Sequence, residues 1–172
     1  TLINPIASDM AQMRLTLWPG LIKAALYNQN RQHGRVRLFE IGRRFLPKPD
    51  GSADEQPVIS GIAMGSVFPE QWGVKARSVD FFDAKGDVEA LLALGGQRQF
   101  AFRPARHPSL HPGQSAEIFQ VGSDTDPVGL IGVLHPDILA KSGLEKSAIL
   151  FELRLSALQA SITPKFQEIS RY

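Results

Sequence analysis

Asp80, Asp83, Asp87 and Glu89 crowd into one short stretch and supply the oxygen donors that a magnesium ion takes. The same residues suit the start of a helix, whose unpaired N–H groups and positive dipole end attract carboxylates, and Lys85 in their midst opposes a cation. The spacing therefore predicts a helix cap, not a metal site. His107 and His111 lie one helical turn apart, as zinc ligands on a helix do, but Pro108 and Pro112 exclude a regular helix there. His135 also precedes a proline, so turn and strand-end roles are expected for all three. Ser109 and Ser115 stand near these histidines, yet neither sits in the strand–serine–helix elbow that a nucleophile needs. Gly61, Gly65, Gly129 and Gly132 are too scattered for a phosphate loop and read as close strand packing. With 0 cysteines the chain has no thiolate chemistry, disulfide or cysteine-ligated zinc.

Elements must position any of these groups. A chain of 172 residues with 43% hydrophobic and 21% charged residues has the composition of a globular domain. One domain over residues 1–172 is expected. No apolar run is long enough to span a bilayer and no signal peptide opens the chain, so a cytoplasmic location is expected. The start at Thr1 and the end at Tyr172 lead us to expect a piece of a longer chain. Net charge is +2 but uneven: through Lys48 eight Lys/Arg face only Asp9 and Glu40, a balance of +6, against −4 for the remainder. A basic front half steers polyanions or acidic partners, and a solvated basic face explains it equally.

Ser8 and Asp9 predict a cap for a short helix over Met10 to Leu15, and Pro19 the first turn of a second helix through Asn30. Leu17, Leu21, Ile22, Ala25 and Leu26 form its apolar stripe. Val36 to Phe45 alternates as a strand, with Val36, Leu38 and Glu40 on one face and Arg37, Phe39 and Ile41 on the other. It pairs with Val58 to Val67 through a Pro47–Ser52 loop as an antiparallel hairpin. Phe82 to Leu94 reads as a helix closed by Gly95-Gly96, with a stripe of Val88, Leu91 and Leu92. Shorter strands are expected at Gln99–Arg103, Ala116–Val121, Val128–Leu134 and Ala148–Leu153, with a short helix at Pro136–Lys141 and a helical turn near Ala157. Strands in series with helices between groups predict an α+β fold, an antiparallel sheet flanked by helices.

The blocks Leu17-Trp18-Pro19-Gly20-Leu21-Ile22, Leu38-Phe39-Glu40-Ile41-Gly42, Asp80-Phe81-Phe82-Asp83 through Glu89, and His111-Pro112-Gly113-Gln114-Ser115-Ala116, in this order, resemble the catalytic-core-like region of the phenylalanyl-tRNA synthetase beta subunit. The resemblance runs from Asn4-Pro5 to Ser170. It implies a class II aminoacyl-tRNA synthetase core-like fold that does no adenylation chemistry. In such cores an arginine two residues before a strand glutamate grips the nucleotide. Glu40 resembles that glutamate, but Leu38 holds the arginine position, and Arg37 points to the opposite face. A second arginine follows a glycine-rich strand in the family, whereas Leu144 to Tyr172 lacks glycine, leaving Arg154 without that setting. Glu40 is expected to be a structural carboxylate paired with backbone or arginine.

What the resemblance implies beyond this chain is a complex of two alpha and two beta subunits that ligates phenylalanine to tRNA. ATP and magnesium belong to the alpha subunit, no cofactor to this stretch. Met13, Leu17, Trp18, Leu21, Ile22 and Leu26 are the implied interface with alpha, so Leu21→Asp with Ile22→Asp is expected to weaken assembly while leaving the domain soluble. Arg31, Arg35, Arg37, Arg43 and Arg44 are candidates for tRNA proximity. Two other classes stand beside this: a stand-alone RNA-binding module with a basic N-terminal half, and an active ligase of the biotin or lipoate type.

Overall fold

A computed structural model describes residues 13–96 and 98–159. The chain forms α1 (Trp18–Asn30), β1 (Arg35–Pro47), β2 (Ala53–Gly65), α2 (Phe81–Ala93), β3 (Phe100–Pro104), β4 (Leu110–Gln120), β5 (Gly129–Leu134), α3 (Pro136–Ser142), β6 (Ala148–Arg154) and a 3-10 turn at Leu155–Ala157. The strands make one six-stranded sheet in the order β1-β2-β6-β5-β4-β3. Every neighbouring pair is antiparallel. An α+β fold on an antiparallel sheet is therefore present, and β6 occupies the middle of it.

Alternation assigns the two faces. Val36, Ile62, Met64, Leu110, Leu134, Ala148 and Leu150 pack with Trp18, Leu21 and Ala25 of α1. Ile59, Ala63, Ala116, Ile118, Ile131, Ile149 and Leu153 pack with Ala84, Val88 and Leu92 of α2. Because helices cover both sides of the centre, Val58 to Gly65 of β2 is buried continuously, where a one-sided strand would alternate. Gly61 is needed at this centre, since a side chain there would meet the ring of Phe151.

Helix α2 begins at a capping box: Asp80 accepts from the N–H groups of Phe82 and Asp83, and Asp83 accepts from the N–H of Asp80. It stops at Leu94, followed by Gly96 at φ +90°. Helix α1 carries Pro19 in its first turn and has no side chain of its own as a cap.

Two expectations change. Residues 10–12 of the short N-terminal helix lie outside the described residues, and Met13 to Leu15 are not helical. Instead the Arg14 carbonyl accepts the N–H of Phe45, and Arg14 Nε donates to the Arg43 carbonyl. This segment is tied along the outer edge of β1, and those bonds replace the local ones a helix would make. The second change is in β4, which starts at Leu110 and not at Ala116. His111-Pro112-Gly113 look like a loop but are carried within the strand by a register shift between Leu110 and Ser115.

Candidate functional site

Glu40 points to the α1 face of the sheet, where Arg14 Nη1 reaches its Oε1 at 2.7 Å. A methyl group at Gly20 would lie 3.6 Å from the other carboxylate oxygen, so the first turn of α1 stands over it. Leu38, the position where a guanidinium would be wanted, packs against the α1 cluster instead. Arg37 projects to the α2 face and pairs with Asp87 at 2.5 Å. The one-residue offset thus separates Arg37 from Glu40 by the thickness of the sheet. Arg154 is engaged by Asp126 at 2.8 Å.

Sequence reasoning passed over the most constrained polar group, Glu152 of β6, which is 4% exposed. Its Oε2 accepts from the Thr16 hydroxyl at 2.8 Å and from the backbone N–H of Leu17 at 2.9 Å. Its Oε1 accepts from Arg44 Nη1 at 3.0 Å, and Arg44 in turn donates from Nε and Nη2 to Gln56. Glu152 thereby caps the start of α1 from the central strand, satisfying a free helix N–H and placing negative charge at the positive dipole end. Trp18 Nε1 and the Ser60 hydroxyl both donate to the neighbouring Phe151 carbonyl. A carboxylate inside the apolar run Ile149-Leu150-Phe151-Glu152-Leu153 was the available signal, because a buried acid needs partners.

Asp80 and Asp83 of the acidic set form the helix cap, as the spacing predicts. Asp83 accepts from both terminal nitrogens of Arg77 at 2.6 Å, and those bonds hold its pKa down at about 2. Asp87 pairs with Arg37 and Glu89 with Lys85. No metal-holding cluster of three His, Cys, Asp or Glu occurs among the described residues.

The three histidines share one device. Nδ1 of His107, His111 and His135 accepts the N–H two residues on, from Ser109, Gly113 and Asp137 at 3.2, 3.1 and 3.2 Å. The intervening proline has no N–H of its own, so the side chain closes the turn. His107 also meets Trp18 edge-on, at 5.4 Å between ring centres, and burial lowers its pKa. Ser115 donates to the Ala105 carbonyl and not to a histidine. The groove beside α2, about 600 Å³ and lined by Phe81, Phe82, Phe102 and Pro104, has Asp80 as its one titratable side chain, already committed to the cap.

The interface candidates divide. Leu17, Trp18 and Leu21 are buried in the chain's own core, Ile22 and Leu26 are half-buried, and Met13 is exposed. Leu21→Asp would therefore break the core, and the expectation of a soluble domain carrying it is corrected on that ground. The basic candidates also divide. Arg43 pairs with Glu55 at 2.8 Å and Arg44 with Glu152, while Arg31 stacks over Tyr27 at 3.6 Å and Arg35 Nε donates to the Val67 carbonyl. Arg37 and Arg44 emerge on opposite faces, so the run makes no continuous basic stripe.

A family model described as phenylalanyl tRNA synthetase beta chain CLM domain matches residues 1–155. Among similar proteins, the phenylalanine-tRNA ligase beta subunit of Hahella chejuensis is 50% identical over 172 residues, covering 100% of this chain and 21% of that protein. The beta subunits of Pseudomonas putida and Methylococcus capsulatus are 48% and 47% identical, each alignment covering 99% of this chain and 21% of the relative. The chain thus spans about a fifth of the length of these relatives.

Proposed function

The chain belongs to the phenylalanyl-tRNA synthetase beta chain CLM domain family, and on that footing we propose that it is a non-catalytic, class II synthetase core-like domain supporting assembly of a beta subunit with a catalytic alpha subunit. The complete complex, of two alpha and two beta chains, ligates phenylalanine to tRNA in the cytoplasm. Residues 1–172 act as one domain of the longer beta chain. No helix among the described residues is long and apolar enough to cross a membrane.

One observation carries the non-catalytic reading: the strand position two before Glu40 is a packed leucine, and Glu40 itself is held by Arg14 under the first turn of α1. ATP and magnesium do not fit these residues. A nucleotide beside Glu40 would have to displace α1, and its phosphates would find Leu38 where a cation is required. Both ligands belong to the alpha subunit.

The outer side of α1 faces alpha in this reading. Met13 and the exposed rims of Ile22 and Leu26 make the contact, while Leu17, Trp18 and Leu21 fix the helix to the sheet. Full-length beta chain carrying Met13→Asp and Ile22→Asp, co-expressed with alpha, is expected to elute from size exclusion as separate subunits. Wild-type-like assembly would reject the surface. A thermal shift of the beta chain alone on adding ATP and magnesium would reject the non-catalytic reading.

A further inference from the structure

We propose that the end of the sheet where β1 begins and β2 stops binds the phosphate backbone of an RNA, with Trp72 as a platform for an unpaired base. The proposal rests on the family reading only for the identity of that RNA as a tRNA.

Two adjoining cavities open there, of about 570 and 240 Å³, and both are lined by Gly34, Ser66, Ala76 and Arg77. Arg35 and Lys75 line the first, Lys146 and Ser78 the second. Arg77 is neutralised by Asp83, whereas Arg35, Lys75 and Lys146 make no ion pair among the described residues. Glu70 is the one carboxylate on either wall among the described residues. The balance left over is positive, and the Ser78 hydroxyl adds a neutral hydrogen-bonding group of the kind that contacts phosphate, the Ser66 hydroxyl already donating to the Phe68 carbonyl.

The topology, and not sequence proximity, brings these cations together. Arg35 pairs with Gly65 at the end of the β1–β2 ladder, and Lys146 precedes β6, whose Ala148 pairs with Met64. A Ser66–Ser78 bridge folds the connecting loop back so that Lys75 and Arg77 return to the same place. Gly65, at φ +85°, lets the chain turn there, because a side chain would run into the backbone of Gly34.

Trp72 lies in the turn of that loop, fully exposed, and the half-exposed Phe68 lines the first cavity. A tryptophan that packs on nothing, carried on the same loop as the unpaired Lys75, offers the pairing that single-stranded RNA exploits: the ring stacks a base while the cations hold the backbone. The arginines further along β1 offer no such site, since Arg37, Arg43 and Arg44 are consumed by internal carboxylates.

The test uses full-length beta chain assembled with alpha, and filter binding of tRNA across salt concentrations. Removing one cation that touches a phosphate flattens the slope of log K against log salt by about 0.7 to 0.9. Lys75→Ala with Lys146→Ala, both exposed, is expected to flatten it by roughly 1 to 2; adding Arg35→Ala flattens it further, and Lys75→Arg with Lys146→Arg retains it. Trp72→Ala is expected to lower affinity with the slope unchanged. Wild-type slope and affinity in the double and triple variants would overturn the proposal. So would variants that bind tRNA normally but lose the alpha subunit, which would make this end a protein contact. Size exclusion on the same samples reads assembly separately. If wild-type beta does not join alpha, the same titrations on the beta chain alone still decide the RNA question.

Discussion

The carboxylate of Glu152 accepts the backbone N–H of Leu17 at 2.9 Å, joining residues 135 positions apart in the chain. A helix that lacks a capping side chain of its own is started by a strand remote in sequence. The interaction makes the orientation of α1 depend on β6 being in place, and it does so with a charge that is itself balanced by Arg44.

Removing that acid should be costly. Glu152→Ala leaves Arg44 half-buried without its anion and the Leu17 N–H without an acceptor, and a loss of about 3 to 5 kcal/mol in urea unfolding is expected. Glu152→Gln keeps an acceptor but not the charge and should lose roughly 1 to 3 kcal/mol. Equal stability of Glu152→Ala and wild type would show that the network contributes nothing.

Asp83 sets an acid-side limit on α2. Its folded pKa of about 2 lies below the ordinary 3.8, because Arg77 donates to it, so its contribution is complete above about pH 4 and is lost as pH falls toward 2. Arg77 is half-exposed, so solvent screens the pair and the effect is small. Arg77→Ala should remove this part of the acid sensitivity, seen as a shallower fall in melting temperature between pH 4 and about pH 2.5. An unaltered profile would count against the pair. Asp80→Ala, which removes the cap, should lower stability by about 0.5 to 2 kcal/mol at neutral pH.

His107 acts in a higher range. Burial lowers its pKa below the ordinary 6.5, so the folded chain prefers the neutral ring whose Nδ1 accepts from Ser109. The corresponding stability is present above about pH 6.5 and declines as pH falls through the lowered value. Facing this ring are Trp18, and the charges of Glu152 and Glu117, which oppose the shift without cancelling it. In NMR titration the Ser109 amide should move with the His107 ring, at a pH below that of a model histidine. His107→Gln should leave Ser109 without such a transition; persistence of it would assign the shift to another group.

Local chemistry made much of this fold readable. Asp80, Asp83 and Gly96 mark the ends of α2 because caps and left-handed residues act within a few positions, and Val36-Leu38-Glu40 sort onto one face by simple alternation. The first half of β4 escaped because a register shift lets Pro112 and Gly113 ride inside a strand, against the ordinary meaning of those residues. The role of Glu152 escaped because its partners are remote, and the proximity of Arg35, Lys75 and Lys146 escaped because only strand pairing creates it. The run of arginines in β1 divides for the converse reason: Arg37 and Arg44 face opposite ways because neighbours in sequence are opposites in a strand.

The central place of β6 has a consequence for how this chain comes off the ribosome. The β1–β2 hairpin and the β3–β5 meander both precede β6 in the chain, yet neither can join the other without the strand that lies between them. Until then two half-sheets wait with open inner edges and uncovered apolar sides, a state prone to wrong pairing. Delay in translating the stretch after Lys146 should therefore raise the demand for chaperones more than an equal delay earlier in the gene.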